Sequence, residues 1–169
     1  MGLDTLVLDL DPQEGNLTSL FDAGTRRSDP EADNLVKHIL DMPDGTFEEL
    51  VETTAEGVDI VPSHDMLGDF TSNLEQKISY ATGMKNISRE DYPRFELLHD
   101  LLWEKQELHK QYDAILIDPN ARAEDLLYNA IFALRTLVAP VKPAGKGNLS
   151  LDGLDELVGN MESQLDIEI

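Results

Sequence analysis

The chain has 169 residues, 41% of them hydrophobic, which suits one domain with a real core and is not a disordered composition. It has no cysteine, which excludes disulfides, thiolate metal sites and thiol catalysis. With 13 Lys and Arg against 34 Asp and Glu, the formal net charge is −21, a surface that repels nucleic-acid phosphates and anionic lipids at ordinary ionic strength.

No apolar run approaches the eighteen or so residues that span a membrane, and Met1-Gly2-Leu3-Asp4 lacks the basic flank and apolar stretch of a signal peptide. A cytoplasmic location and no membrane partner are expected. The acids are scattered rather than blocked, which argues against a disordered acidic tail. Of the two remaining readings, adaptation to a salt-rich cytoplasm is favoured over nucleic-acid mimicry. The acids avoid the apolar runs, and lysine is sparse. A chain that unfolds on transfer from molar to dilute KCl would support adaptation, and indifference to salt would sink it.

Thr5-Leu6-Val7-Leu8-Asp9-Leu10-Asp11 is a short apolar run ending in acids, as buried parallel strands read, and Pro12 and Gly15 stop it. Asp33 to Asp41 has helical spacing, with Leu35, Val36, Ile39 and Leu40 on one face. Phe47, Leu50 and Val51 suggest another helix. Val58 to Pro62 reads as a second strand. Met66, Phe70 and Leu74 recur every four residues and predict a helix within 63–92, which ends in a loop over 86–91. Pro93 opens the next helix, with Phe95, Leu98, Leu101, Leu102 and Leu108 as its stripe. Tyr112 to Pro119 is the third strand. Leu126, Leu127, Ala130, Ile131 and Leu134 mark a helix, and Thr136 to Val141 is the fourth strand. A last amphipathic helix opens at Asn148 to Ser150 and carries Leu151, Leu154, Leu157, Val158, Met161 and Leu165. Leu165 to Ile169 reads as the start of another strand. Strands alternating with helices predict an α/β fold, with a mostly parallel sheet and helices on both faces.

In such sheets ligands bind outside the carboxyl ends of the strands. Asp9, Asp11 and Asp118 sit at such ends, and alternation puts Val7, Asp9 and Asp11 on the face opposite Leu6, Leu8 and Leu10. Carboxylates one step apart, with a third from another strand, suit Mg²⁺ and its waters, or the orientation of a water for attack on a phosphate. For any one Asp the turn preference of the residue is explanation enough. For the three together the two readings stand level.

Asp9-Leu10-Asp11-Pro12-Gln13, followed by Glu14-Gly15-Asn16-Leu17-Thr18, is similar to the DxDPQGNxT segment of ParA/MinD/Soj-type partitioning ATPases, the deviant Walker A group of the P-loop superfamily. The resemblance continues in order over essentially the whole chain. Val58 to Ser63 resembles the LxxIPS strand, and Tyr112 to Asp118 the Walker B strand YDxILID. Val138 to Pro143 resembles the VPVxP strand, and Leu151 to Leu154 the LxGL helix start. The resemblance implies a three-layer, P-loop NTPase-like fold with ATP and Mg²⁺ as cofactors. By position, Asp11 would be the catalytic switch carboxylate that orients the attacking water. Asp9 would lie beside the magnesium shell, and Asp118 would hold Mg²⁺ through water. Asp118-Pro119-Asn120-Ala121 departs from the D-x-P-P that usually follows Walker B.

The larger departure is the Walker A loop, KGGxGK[ST][ST], which the 169 residues do not contain; Gly145-Lys146-Gly147-Asn148 lacks its spacing. The chain reads as residues 1–169 of a partial nucleotide-binding domain, truncated before strand 2 and after the Walker B half. This reading expects the missing strand to lie between the strands ending in Asp11 and Asp118, leaving both with unpaired edges. The first expectation is therefore a fragment of a chromosome- or plasmid-partitioning ATPase, from an incomplete reading frame or a cut chain. The full-length parent would form a homodimer, respond to a ParB-like adaptor and bind DNA non-specifically. The chain alone is expected to turn over ATP weakly or not at all, to bind it poorly, and not to bind DNA. The alternative is a non-catalytic acidic protein docking on an intact ParA-like subunit. A third is an amide-forming ligase of the same superfamily, against which Asp11-Pro12-Gln13 argues. His38, His64, His99 and His109 lack metal-ligand spacing, Arg26-Arg27 is too small for a nucleic-acid patch, and Phe95 and Trp103 read as core or a partner face.

Overall fold

A computed structural model describes residues 2–85, 87–120, 124–140 and 147–169. Strand β1 is Thr5–Leu10. Leu6, Leu8 and Leu10 point to one face and are fully buried, while Val7 and Asp9 point to the other. A run this apolar fits a strand with neighbours on both sides, and β1 has them. Asn16 then caps the short helix α1 (Leu17–Leu20), its side chain accepting from the Ser19 amide at 3.2 Å. Asn34 does the same for α2 (Leu35–Ile39), where Leu35, Val36 and Ile39 are buried.

Phe47–Leu50 forms a single 3₁₀ turn opened by a Thr46/Glu49 capping box. Two short strands follow, β2 (Glu52–Thr53) and β3 (Asp59–Val61). A 3₁₀ turn over Asp65–Asp69 leads into α3 (Phe70–Lys85), which buries Phe70, Leu74, Ile78 and Ala81 at helical spacing. Helix α4 (Leu97–His99) widens into a π turn over Asp100–Lys105, burying Leu97, Leu98, Leu101 and Leu102. Strand β4 is Ala114–Pro119, α5 is Glu124–Leu134 and α6 is Gly147–Leu165.

The sheet order is β2-β3-β1-β4. β1 runs parallel to β3 and to β4, and only the two-residue β2 is antiparallel. Helix α3, the 97–105 segment and α5 contribute to one core with Leu6, Leu8 and Leu10. On the other face, Asp9 is held by Thr18 of α1. A second cluster joins Ile131 of α5 to Met161 and Leu165 of α6, with Phe95, Tyr128, Ile167 and Ile169 against it.

Three expectations are corrected. Residues 136–140 form no strand, and Leu137 and Val138 are exposed; Val141 lies outside the described residues. A strand-like sequence makes a ladder only where a neighbouring edge accepts it. Residues 165–169 do not start a strand either. Asp166 takes a left-handed φ of 53°, and the Ile167 amide turns back to the Glu162 carbonyl at 3.3 Å, a helix ending that folds Ile167 onto the second cluster. Finally, no strand slot separates the strand leading to Asp11 from the one carrying Asp118. β1 and β4 pair directly along six positions, from Thr5 with Ala114 to Leu10 with Pro119. The open edge is the outer side of β4, which has no strand partner among the described residues.

Candidate functional site at the carboxyl ends of β1 and β4

Asp9 is completely buried. Its Oδ2 accepts from the Thr18 amide at 2.7 Å and the Thr18 hydroxyl at 2.6 Å, and its Oδ1 accepts from the Asp11 amide at 3.0 Å. A buried carboxylate persists only when its oxygens are satisfied in this way. Having donated its proton to Asp9, the Thr18 hydroxyl accepts from the Ser63 amide at 2.7 Å. The Ser63 hydroxyl in turn donates to the Asp11 carbonyl, as does the Asn16 side-chain amide at 2.6 Å. Both backbone polar groups of Asp11 are thus fixed by side chains from β1, from the cap of α1 and from the loop after β3.

Gly24 closes this network from outside. Its φ is +71°, and a Cβ there would stand 2.6 Å from the Thr18 methyl and 3.2 Å from Pro62, so a side chain is excluded on both counts. Arg27 ties the loop after β1 to the turn at 65–69: it donates to the Pro12 carbonyl and pairs with Asp65 at 3.3 Å.

The Asp11 side chain is held more lightly and faces the rim. Its Oδ1 accepts from the Gln13 amide at 3.0 Å and from the Asn120 side-chain amide at 2.9 Å. The second bond spans the gap from the end of β1 to the end of β4. The departure from D-x-P-P at Asn120 therefore supplies a donor to Asp11. Asp118 is the register partner of Asp9 on the same sheet face but is exposed. Its carboxyl is raised above the ordinary range, by partial burial first and then by the charges of Asp9 and Asp11.

Among the described residues no Lys, Arg or His forms an ion pair with Asp9, Asp11 or Asp118. Nor, among them, do three His, Asp or Glu side chains converge as a ready-made metal cluster. Among the described residues the rim is thus an acid pair without a cationic partner, Asp11 and Asp118, over a third carboxylate whose oxygens are occupied. Such a pair fits a hydrated divalent cation held partly through water better than direct ligation by three carboxylates. A cleft of about 580 Å³ opens beside Pro12 and Asn120, against Phe70, Arg94, Asp125 and Tyr128.

The histidines have other partners. His38 meets Asp33 at 2.8 Å, and His64 accepts from the Met66 amide at Nδ1, which leaves the Nε2 proton for the Asp29 carbonyl. His99 and His109 pack on Phe132 and Trp103. Trp103 lies against the main core and donates to the Ala133 carbonyl at 2.8 Å.

A family model for the AAA domain matches residues 1–166. The chain belongs to this AAA-domain family. Among solved structures the fold resembles apo McdA from Cyanothece, at 25% identity and a TM-score of 0.67, covering 96% of this chain and 56% of that one. It also resembles a plasmid partition protein from Borrelia burgdorferi B31 bound to AMPPNP, at 19% identity and a TM-score of 0.66, covering 99% and 61%. Cobyrinic acid a,c-diamide synthase from Mycobacterium smegmatis, with bound ATP analogue and magnesium, matches at 18% identity and a TM-score of 0.62, covering 92% and 55%. The last two show the fold alone, a P-loop NTPase-like α/β sheet. The AAA-domain chain spans a little over half the length of these relatives. No curated protein sequence matches it. No helix among the described residues is long and apolar enough to cross a membrane.

Proposed function

We propose that these 169 residues form the carboxylate-bearing part of a partitioning ATPase of the AAA-domain family. The observation that carries the reading is the Asn120–Asp11 hydrogen bond across the paired ends of β1 and β4, which gathers Asp11 and Asp118 on one rim. Strand-end rims are where open α/β sheets bind ligands. Asp118, the more exposed acid, would face Mg²⁺ through water, and Asp9 would lie behind it as the anchor of the loop. Asp11, with its backbone clamped and its Oδ1 oriented by Gln13 and Asn120, would hold the attacking water at its remaining oxygen. Bound Mg²⁺ supplies charge neutralisation at the phosphates. The phosphate cradle itself has no counterpart in these residues, whose sequence contains no Walker A loop.

In this reading the full-length parent works as a homodimer in the cytoplasm, with a ParB-like adaptor and non-specific DNA as partners. The DNA contact belongs to the parent, because a −21 surface repels phosphates. The same charge supports adaptation to high salt, so folding is to be measured in molar and in dilute KCl by circular dichroism. The test of the main reading adds a KGGxGK-bearing segment upstream and measures turnover in molar KCl. Turnover that is lost in Asp11→Asn while nucleotide binding persists supports it. A folded, nucleotide-bound protein without turnover overturns it in favour of the second reading. That reading, an acidic docking partner of an intact ParA-like subunit, rests on the charge and on the missing loop. Without any added segment, micromolar binding of a fluorescent ATP analogue that vanishes in Asp118→Ala would reveal a phosphate site elsewhere in the chain.

A further inference from the structure

Helix α3 turns one face to the core, through Phe70, Leu74, Ile78 and Ala81, and the opposite face to solvent. From Ser72 to Met84 its exposed positions are Ser72, Gln76, Ser79, Tyr80, Gly83 and Met84, and none is charged. Its described side chains include two charges, and both are compensated within the chain. Glu75 pairs with Arg89, and with Arg94 at 2.7 Å. Lys77 donates to the Leu40 carbonyl at 2.6 Å and pairs with Asp41 at 3.0 Å. Elsewhere roughly one exposed described residue in three is Asp or Glu. A neutral face about 18 Å long therefore departs from the way the rest of this surface is built.

Tyr80 is 65% exposed on this face and Met84, one turn on, 71%. Tyrosine and methionine are enriched where proteins meet, and charges are depleted there. Gly83 lies within the helix, where glycine is less favourable than alanine, yet a Cβ there would meet nothing within 4 Å. No described residue of the chain requires a glycine at that point, whereas close approach of a second backbone does. The charge of the whole chain indicates whose backbone. At −21 two copies repel each other over most of their surfaces. A two-fold contact lays a patch against itself, so any net charge on the patch opposes itself, and a neutral face avoids this. A basic partner is drawn instead to the acids that the rest of the surface carries.

We propose that two copies of this chain associate through the solvent faces of α3, packed about a two-fold axis with Tyr80 and Met84 of each copy against the helix of the other. The patch is small, which suits a weak and reversible dimer rather than an obligate one. Thr71, at the start of α3, lines the cleft beside Pro12 and Asn120, and Met84 lies about 20 Å further along the helix axis. The contact is thus remote from the Asp11 and Asp118 rim, needs no nucleotide, and stands apart from the ATPase reading.

The test is sedimentation equilibrium of the full 169-residue chain in molar KCl without nucleotide, over roughly 1 to 500 μM. The expected result is a reversible dimer with a Kd of about 10 to 100 μM. Tyr80→Glu and Met84→Glu each set an acid against its own copy and should raise that Kd about tenfold or more. Their circular dichroism should match wild type, because both side chains are exposed. Gly83→Ala should part the two properties, raising the Tm of the dilute monomer while weakening the dimer severalfold. Leu116→Asp, on the exposed part of β4, should leave the dimer intact. A chain that stays monomeric throughout overturns the proposal. So does a dimer that survives both glutamates, that Gly83→Ala tightens, or that only Leu116→Asp breaks. No nucleotide enters the measurement, so a failed carboxylate site cannot cause these outcomes, and a dimer without ATP turnover would sink only the ATPase reading.

Discussion

The two strands that meet at the candidate site are built to different standards. At the end of β1 every polar atom of the buried Asp9 carboxylate is accounted for, and the chain around Asp11 is fixed by Thr18, Ser63 and Asn16. At β4, one register step away, Asp118 stands exposed among like charges, and the outer edge of the strand is unpaired among the described residues. The first region is pre-organised by the chain itself. Among the described residues, the second is electrostatically and sterically open. The contrast separates residues that hold the fold from residues free to meet a ligand, although sequence alone presents Asp9, Asp11 and Asp118 as three similar acids.

Substitutions should therefore divide by strand. Asp9→Ala is expected to have the largest effect. It strands the Thr18 amide, the Thr18 hydroxyl and the Asp11 amide in a dry site, a loss of about 3 kcal/mol or roughly 10 °C in Tm. Thermal unfolding followed by circular dichroism measures it, and a shift no larger than that of Asp118→Asn would erase the contrast. Next comes Asp125, away from the rim. Arg94 forks onto it at 2.6 and 2.9 Å and reaches Glu75 at 2.7 Å with its third nitrogen. Burial alone would raise the Asp125 carboxyl, but the Arg94 fork and the Thr71 hydroxyl outweigh it and hold it below its ordinary value. A depressed folded value means the stabilisation is present above the unfolded value and is lost as pH falls through the folded one. Asp125→Asn should cost about 2 kcal/mol at neutral pH, with the gap to wild type closing below about pH 4. A gap independent of pH would show that packing rather than charge is lost.

Much of this division was invisible in the sequence, for identifiable reasons. α3 and α5 were legible because their apolar residues repeat at 3.6 and burial follows that periodicity, α6 because Met161 and Leu165 keep the same spacing, and β1 because it is a short, nearly continuous apolar run buried on both faces. The two-residue β2 has no period to read. Residues 136–140 read as a strand because composition reports propensity and not whether a partner edge is at hand. Asp11 and Asp118 were found through their positions at strand ends. The clamp on Asp11 was missed because Thr18 and Ser63 are 45 positions apart, and nothing local predicts that one hydroxyl will serve both Asp9 and the Ser63 amide. Gly24 was missed likewise, since its left-handed φ and its approach to Thr18 exist only once both segments are placed. Asn120 was noticed as a departure from a motif, yet only the β1–β4 register shows that it donates to Asp11.

Two smaller effects sharpen the comparison at single-group resolution. Thr18→Val keeps the shape of the side chain and removes the hydroxyl that donates to Asp9 and accepts from Ser63. A loss of about 1.5 kcal/mol is expected, half that of Asp9→Ala, because the Thr18 amide still reaches the carboxylate. Asp118→Asn should be the mildest. It removes a charge that has no basic partner among the described residues and that Asp9 and Asp11 oppose, so relief of like-charge repulsion offsets the small loss of solvation. A Tm equal to wild type or slightly higher is expected, together with loss of any Mg²⁺-dependent nucleotide binding in the completed protein. If Asp118→Asn instead unfolds the chain, the carboxylate is a structural support like Asp9, and the open half of the site must be sought elsewhere on the rim.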